Sequence, residues 1–273
     1  MSSLRSRALP LLSDLLSLVP KRVCTRLLPE RLSFYGHLVH DGDHPARRRY
    51  RYPNSAEFAA FVKAIGDLGY QISALTEYLK DDGERRALFT FDDGFSQVAT
   101  FIAAQRLLSP SKFVVFVGSG GASEFAIPGV GSSRDPGLLV DADEIQRLRG
   151  MGVHIGFHGA LHRQLPDNYD KGDLRTLIGD VRARIGEFSQ PRAFAYPYKA
   201  PFHRAAADDF VRDAGFDVIF GTEFDWRTRS AYERISLDIA NDMPVELNPC
   251  LFQLNMLLAK RFLRVRLPKS GSG

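Results

Sequence analysis

The chain alternates between two kinds of hydrophobic pattern. Short, nearly continuous apolar runs are typical of buried strands, and longer segments with apolar residues three or four positions apart are typical of helices that bury one face. The predicted strands cover residues 31–39, 87–91, 112–118, 152–157, 193–196 and 217–221. The predicted helices cover residues 55–70, 95–108, 141–149, 171–188 and 203–214. This repeated order predicts an α/β protein with a parallel sheet, either open or closed into a barrel.

Polar residues follow the ends of three of these predicted strands. The run ALFTFDDG places Asp92 and Asp93 directly after one strand, His158 follows another, and Pro197 and Tyr198 follow a third. In α/β barrels the carboxyl ends of the strands carry the chemistry. We therefore expect these residues to lie close together at one end of the sheet.

Two adjacent aspartates after a buried strand repel each other unless a cation lies beside them. His158 and His162 are four residues apart, a spacing that places two imidazoles on one side of a helical turn and suits a divalent metal. One carboxylate and two imidazoles leave positions open for water, which is typical of a hydrolytic metal site. The aspartate that does not bind the metal is then placed to take a proton from water. We interpret His154 as a polar neighbour and not as a third imidazole ligand.

Each piece also has an ordinary structural explanation. A pair of histidines four residues apart is more often surface or core than ligand, and Asp-Asp-Gly after a strand is commonly only a turn. The run AFAYPYKAP could pack around a proline-stiffened turn, or its backbone N–H groups and aromatic faces could receive an acyl group or a sugar ring. Their common position at strand ends favours the functional interpretation.

The three motifs TFDDG (90–94), HGALH (158–162) and FAYPYK (194–199) occur in this order. They resemble the motifs of the polysaccharide deacetylase family with NodB homology, also called carbohydrate esterase family four. The resemblance covers roughly residues 30–240 and includes the upstream run FYGHLV. It implies a distorted (β/α) barrel and metal-dependent hydrolysis of N-acyl or O-acyl groups on sugars.

The resemblance also implies roles for individual residues. Asp92 would be the general base. Asp93, His158 and His162 would hold one divalent ion, Zn²⁺ or a similar metal. The backbone N–H of Tyr198 would donate to the oxyanion of the tetrahedral intermediate.

The third motif supplies the expected substrate contacts, Tyr196, Pro197 and Lys199. Lys199 stands where the family has glycine, and its amine could reach an anionic substrate. Gly159 stands where the family has Ser or Thr after the first metal histidine, so a hydroxyl beside the ligand is missing. Ala195 falls where many members carry an arginine near the catalytic aspartate, so we expect no counterpart of that arginine.

The general acid is left open by the sequence. The late histidine that serves many members of the family as the acid is absent. The candidates for protonating the leaving amine are His37, His203 or a metal-bound water. Arg234, in the run YERISL, resembles an arginine found late in some relatives, and we expect it near the site.

Composition narrows the class of protein. The chain has 273 residues, of which 44% are hydrophobic and 25% are charged, as in an ordinary globular protein with a sizeable core. The net charge of +4 is too diffuse to indicate nucleic-acid binding but is compatible with an anionic lipid surface or a phosphorylated substrate. Two distant cysteines, Cys24 and Cys250, argue against a disulfide framework and a cysteine zinc site.

The barrel predicted over residues 30–240 is flanked by two apolar segments rich in Lys and Arg, residues 1–29 and 241–267, and residues 268–273 are interpreted as a linker. The flanking segments either pack on the barrel as extra helices or lie in a membrane interface. Asp14 interrupts the N-terminal apolar run and no small-residue cleavage site follows, which argues against an export signal. We expect a cytoplasmic protein, either free or peripheral on the inner face of the membrane.

The leading hypothesis is a metal-dependent hydrolase that removes an N-acetyl or N-formyl group from a sugar. A cytoplasmic location favours a lipid-linked or nucleotide-linked precursor in bacterial glycoconjugate synthesis. The alternative is a catalytically impaired barrel that binds carbohydrate or acts as a scaffold, suggested by the missing arginine and acid. A metal phosphatase is disfavoured, because a two-metal clamp needs more carboxylate ligands than the one that is clear here.

Overall fold

A computed structural model of the chain describes residues 28–42, 50–118, 126–127, 131–132, 137–159, 171–197, 204–222, 232–240 and 248–266. Its strands are β1 Arg31–Gly36, β2 Tyr50–Arg51, β3 Gln71–Ile72, β4 Arg86–Phe91, β5 Phe113–Val117, β6 Ala126–Ile127, β7 Gly131–Ser132, β8 His154–Phe157, β9 Ala193–Ala195, β10 Val218–Phe220, β11 Arg234–Ser236 and β12 Ile239–Ala240. Its α-helices are α1 Ser55–Asp67, α2 Leu75–Tyr78, α3 Ser96–Ala104, α4 Ala142–Gly150, α5 Lys171–Ile185, α6 Arg204–Asp213 and α7 Pro249–Arg266.

The main sheet is parallel and nearly closed into a barrel. Its strands lie in the order β10-β9-β8-β5-β4-β1-β11, and the short β3 pairs with the start of β4. A parallel bridge between Gly221 and Glu233 joins the chain beside β10 to the chain beside β11. The predicted distorted (β/α) barrel is therefore confirmed, and the sheet is nearly closed instead of open.

The predicted elements are present, with differences at their ends. The first strand stops at Gly36 instead of continuing to residue 39, and the helix predicted to reach residue 108 stops at Ala104. The helix stops because the side-chain oxygen of Gln105 accepts hydrogen bonds from the backbone N–H groups of Leu107 and Leu108, which turns the chain. The strand β11 was not predicted, because a three-residue strand that opens with arginine shows no apolar alternation.

The alternation of β4 decides which of its side chains enter the barrel. Phe89 and Phe91 face outward into the aromatic core beneath the helices, while Leu88 faces the barrel interior. Side chains alternate with a period of two along a strand. Thr90 and then Asp92 therefore follow Leu88 on the inner face, and Asp92 stands at the mouth of the barrel.

The C-terminal helix α7 packs on the outside of the barrel. Its first half buries Cys250, Leu254, Leu257 and Leu258, and the helix lies against α1 and β11. No helix in the described part of the chain is both long enough and apolar enough to cross a membrane. The predicted N-terminal segment, apart from its last two residues, and the predicted linker lie outside the described residues.

Candidate active site

The turn after β4 holds Asp93 in a strained, left-handed backbone conformation. Asp93 has a φ of 69°, the only positive φ of a non-glycine residue in the part of the chain described, and Gly94 follows with the same value. Two backbone hydrogen bonds hold this turn, from Val140 N–H to the carbonyl of Gly94 and from Ser96 N–H to the carbonyl of Leu138. Backbone strain of this kind persists where the surrounding structure enforces it, and it clusters at functional sites.

Asp92 is buried and paired with Arg234. The guanidinium donates two hydrogen bonds to the carboxylate, Nη1 to Oδ1 at 2.6 Å and Nη2 to Oδ2 at 2.9 Å. Arg234 also donates to the hydroxyl of Thr90 at 2.8 Å and to the carbonyl of Gly221 at 3.1 Å. Its guanidinium carbon lies 4.9 Å from the centre of the Tyr35 ring, so an aromatic face supports the buried charge.

This pairing keeps Asp92 ionised. Burial by itself raises the pKa of the Asp92 carboxyl, but the charge of Arg234 outweighs burial and holds the pKa below its usual value. The prediction that Arg234 lies near the site is confirmed, and Arg234 takes the place beside Asp92 for which we expected no counterpart. The position of Ala195 is empty of charge, as the sequence shows, but Arg234 reaches Asp92 from β11.

His158, directly after β8, presents one ring nitrogen to both aspartates. Its Nδ1–H donates to the carbonyl of Ala195 at 3.1 Å, so in this tautomer Nε2 carries a lone pair. Nε2 lies 3.4 Å from Oδ1 of Asp93 and 3.8 Å from Oδ2 of Asp92. Both distances exceed those of ordinary charge-assisted hydrogen bonds. A lone pair facing two carboxylates is what a cation between them would stabilise.

The donors in this cluster fit a zinc site in part. A histidine ligand to zinc commonly donates its other N–H to a backbone carbonyl, as His158 does to Ala195. Asp93 adds a carboxylate oxygen on the same side. The third predicted ligand, His162, lies outside the described residues, and among those described no three His, Cys, Asp or Glu side chains come together as a ligand set.

A second acid–base pair, His37 with Asp238, lies beside the aspartates. His37 Nδ1–H donates to Oδ2 of Asp238 at 2.6 Å, while its Nε2 lies 3.9 Å from Oδ2 of Asp93. Burial by itself lowers the pKa of His37, but the hydrogen bond and charge of Asp238 raise the pKa to about 9. The side chain of His37 is 26% exposed, so a substrate could reach it.

Sequence reasoning missed Asp238. Arg234, Ser236 and Asp238 are two residues apart along β11 and its continuation, so a period of two places their side chains on one face. A strand predicted over these residues would have brought Asp238 to the same end of the barrel as Arg234. The pattern is short and mostly polar, and therefore gives a weak strand signal.

The third motif is only partly described. Tyr196 is 1% exposed, its hydroxyl donates to Asp208 at 2.8 Å, and the guanidinium of Arg204 lies over its ring. Its ring is therefore part of the wall of the barrel, and Tyr196 is not among the proposed substrate contacts. The other predicted site residues from this region lie outside the described residues, namely Tyr198, Lys199 and His203.

Pro197 explains why a glycine follows His158. Gly159 has a φ of 72°, and a Cβ built there would lie 2.9 Å from Cδ and 3.0 Å from Cγ of Pro197. A side chain at this position is disfavoured by the backbone and by the proline ring at once. The serine or threonine that the resemblance implies has no room here unless Pro197 moves.

Replacing Gly159 with Ala is expected to lower the free energy of unfolding by about 2–3 kcal/mol, since left-handed strain of roughly 1–2 kcal/mol adds to the overlap with Pro197. Gly69→Ala is the matched control, because Gly69 has a φ of 84° and nothing within 4 Å of a built Cβ. Denaturant unfolding of both variants separates strain from overlap. Equal losses of stability would show that the contact with Pro197 contributes nothing.

His154 lies away from the site. It begins β8, four residues before His158, which at a rise of about 3.3 Å per residue separates the two histidines by roughly 13 Å. Its side chain is buried, and burial lowers its pKa to about 4. This position agrees with the interpretation that His154 is not a metal ligand.

The neutral His154 predicts a pH dependence of stability. Its pKa of about 4 in the folded protein lies below the value of about 6.5 in an unfolded chain, so the unfolded state binds more protons below pH 6.5. Its contribution is complete above that pH and is lost as the pH falls toward 4, by up to about 3 kcal/mol. The loss in the free energy of unfolding between neutral pH and pH 4.5 should therefore be smaller in His154→Gln than in the wild type. An identical pH dependence would contradict this account.

Solved structures that match this fold include two deacetylases and one putative polysaccharide deacetylase. A polysaccharide deacetylase from Bacillus cereus matches with a TM-score of 0.57 and 14% identity, over 81% of this chain and 68% of that chain. A deacetylase from Streptococcus pyogenes, solved in complex with acetate, matches with a TM-score of 0.55 and 12% identity, over 87% of this chain and 98% of that chain. BA0330 from Bacillus anthracis matches with a TM-score of 0.53 and 16% identity, over 80% of this chain and 66% of that chain, which is just under two thirds.

No family model matches the chain, and no curated protein matches its sequence significantly. The similarity to these proteins is therefore one of fold. The chain has the barrel fold of the polysaccharide deacetylases.

Proposed function

We propose that this protein is a metal-dependent hydrolase that removes an acetyl or formyl group from the nitrogen of an amino sugar. The observation that carries the proposal is the convergence of the arginine-paired Asp92, the strained Asp93 and His158 at the mouth of a parallel barrel. The shared fold supports it, and one of the deacetylases with this fold was solved with acetate, the product of deacetylation.

In the proposed mechanism Asp93 and His158 would hold the metal, together with His162 from outside the described residues. When bound, such an ion supplies Lewis acidity that polarises the acyl carbonyl and makes a water nucleophilic near neutral pH. Asp92 accepts the proton that the water loses as its oxygen bonds to the carbonyl carbon. Arg234 keeps Asp92 ionised and fixes its orientation through two hydrogen bonds. The predicted donor to the oxyanion is the backbone N–H of Tyr198.

We assign the proton for the leaving amine to His37. Asp238 holds the Nδ1–H of His37 and raises its pKa, so Nε2 carries the proton that is donated when the carbon–nitrogen bond breaks. The products are the free amino sugar and acetate or formate. The proton that Asp92 took from water then restores His37, and the second proton of the water leaves on the carboxylic acid, which ionises in solution to acetate or formate. In this proposal His37 takes the place of the missing late histidine, supported by its Nε2 lying 3.9 Å from Oδ2 of Asp93. The other candidate, His203, lies outside the described residues.

The carrier of the sugar is proposed from the sequence. The apolar and basic terminal segments, residues 1–29 and 241–267, favour a lipid-linked sugar, and a nucleotide-linked sugar is the second choice. Both carriers suit a cytoplasmic enzyme of glycoconjugate synthesis.

The test is release of acetate and formate from a panel of N-acylated sugars by zinc-loaded protein. The panel contains free, oligomeric, lipid-linked and nucleotide-linked sugars. Release by the wild type, with none by His158→Ala and a rate about 10²–10⁴-fold lower for His37→Gln, is the expected result. Full activity of His37→Gln would return the role of acid to His203 or to water.

The alternative of a non-catalytic carbohydrate-binding barrel rested on a missing arginine and a missing acid. Arg234 now stands at Asp92, and the His37–Asp238 pair stands beside Asp93. A wild type that binds zinc and sugar but releases no acid from any member of the panel would favour the alternative.

A further inference from the structure

We propose a second binding site at the end of the barrel opposite the candidate active site, and we infer that it takes a phosphate monoester. The site is a cavity of about 610 Å³, called here the basal cavity, between the start of α2 and the amino ends of β8 and β9. His154, Arg149 and Ser189 are the lining residues that carry the argument. A concave site of this size, with a few polar groups that converge in it, is typical of small-molecule binding.

His154 lies at the amino end of the barrel interior. A Cβ built at Gly156, two residues further along β8, would lie 2.6 Å from Cδ1 of Phe116, which belongs to the apolar cluster inside the barrel. Side chains two residues apart share one face of a strand, so His154 also points inward, while Ile155 packs in the outer core. The length of β8, roughly 13 Å, separates the basal cavity from His158.

The ring of His154 has one nitrogen without a partner. The side chain is 8% exposed, and its Nε2 is buried with no hydrogen bond to any described residue. The ring donates through Nδ1 to the carbonyl of Pro191, so Nε2 carries a lone pair, and burial keeps the ring uncharged by lowering its pKa to about 4. A buried polar atom without a hydrogen bond is costly. The basal cavity therefore favours a ligand that brings an O–H or N–H donor to Nε2.

Arg149 adds a cation to the same cavity. Its Nη2 donates to the carbonyl of Glu187, and a guanidinium with five N–H donors can bind an oxyanion as well. Glu187 also lines the cavity, but its carboxylate accepts a hydrogen bond from Nε of Arg182 at 2.9 Å and its side chain is 65% exposed, so solvent screens its charge. The hydroxyl oxygen of Ser189 accepts the backbone N–H of Ile155, and its O–H can donate to a ligand oxygen.

A lone pair and a guanidinium together select an anion that carries its own proton. Sulfate has the shape of phosphate but is fully ionised near neutral pH, so it would place an acceptor against the lone pair of Nε2. A phosphate monoester has a second pKa near 6, so a substantial share keeps one P–O–H at about pH 6.5. That group donates to Nε2 of His154 while the other oxygens accept from Arg149. The cavity is larger than one phosphate group needs, which leaves room for the organic part of the ester.

The test is calorimetric binding of inorganic phosphate and of sulfate to the full chain at about pH 6.5. The wild type should bind phosphate about tenfold or more tightly than sulfate, because sulfate leaves Nε2 unpaired. His154→Leu should bind the two anions equally, and Arg149→Gln should bind phosphate about tenfold more weakly than the wild type. Arg147→Gln is the matched control: Arg147 is exposed on the same helix and does not line the basal cavity, so this variant should bind phosphate as the wild type does.

Glycerol 3-phosphate and vesicles of phosphatidylcholine with phosphatidic acid distinguish the sources of the phosphate group. Tighter binding of glycerol 3-phosphate than of inorganic phosphate indicates a soluble ester, and vesicle binding that Arg149→Gln abolishes indicates a lipid headgroup. If neither ester binds more tightly than inorganic phosphate, a phosphate monoester is not the ligand and the inference is wrong.

Three other results would overturn the inference: equal affinity of the wild type for phosphate and sulfate, no binding of either anion, or phosphate binding that Arg149→Gln leaves unchanged. The side chain of Arg149 is only partly buried, so its variant keeps the test decisive even if His154→Leu does not fold. No sugar is present in the measurement, and its result is therefore independent of the proposed function.

Discussion

Replacing Asp92 with Asn is expected to lower kcat/KM for deacylation by about 10²–10⁴-fold, the usual effect of removing a general base. Asn keeps the shape of the side chain but does not accept a proton from water. Asp93 and His158 are unchanged, so the zinc-induced rise in melting temperature should remain close to that of the wild type. The two measurements together separate loss of the base from loss of the metal.

Asp92→Asn also removes the partner of a buried charge, so the kinetic comparison belongs at temperatures well below the melting temperature of the variant. A variant that is folded and zinc-binding but fully active would contradict the role of Asp92. Loss of both activity and the zinc-induced shift would show instead that Asp92 is itself a metal ligand.

Replacing Arg234 with Met is expected to lower the free energy of unfolding by about 3–5 kcal/mol. Met fills most of the space but leaves the carboxylate of Asp92 buried without its two hydrogen bonds. Removing one partner of a buried ion pair costs much stability because an uncompensated charge remains. Removing both partners costs much less. The measurement is denaturant unfolding of the metal-free protein.

The double variant Asp92→Asn/Arg234→Met is the control for this prediction. It should be more stable than Arg234→Met alone, because no carboxylate is left unpaired. Strictly additive losses in the two single variants and the double variant would show that the Asp92–Arg234 pair is not the source of the effect. Activity should be absent from all three variants or strongly reduced.

The sequence predicted the local features of the fold and the residues that lie close together in the chain. The apolar runs predicted the barrel strands, and the paired aspartates and His158 were predicted at strand ends. Asp92 pairs with a residue 142 positions away, and His37 with one 201 positions away. No local pattern reports such pairs, which exist because the nearly closed barrel brings β11 beside β1.

Two residues show where alternation could have improved the prediction. Ala193 and Ala195 face the barrel interior, so Phe194 and Tyr196 face the helices, and the buried position of Tyr196 follows from a period of two. Gly159 is different, because its need for a positive φ depends on the ring of Pro197, which comes from another strand end. The sequence showed that Gly159 stands where the family has Ser or Thr, but it did not show that the ring of Pro197 leaves no room for a side chain there.

The most direct test of the metal site is the melting temperature of wild type and Asp93→Asn, each measured without and with zinc. Asn tolerates the positive φ of Asp93 and removes one of two adjacent buried carboxylates, so the metal-free variant should be at least as stable as the wild type. Zinc at about 100 times its dissociation constant should stabilise the wild type by about 3 kcal/mol and the variant by far less. Equal stabilisation of both proteins, or of neither, would contradict a metal site built on Asp93 and His158.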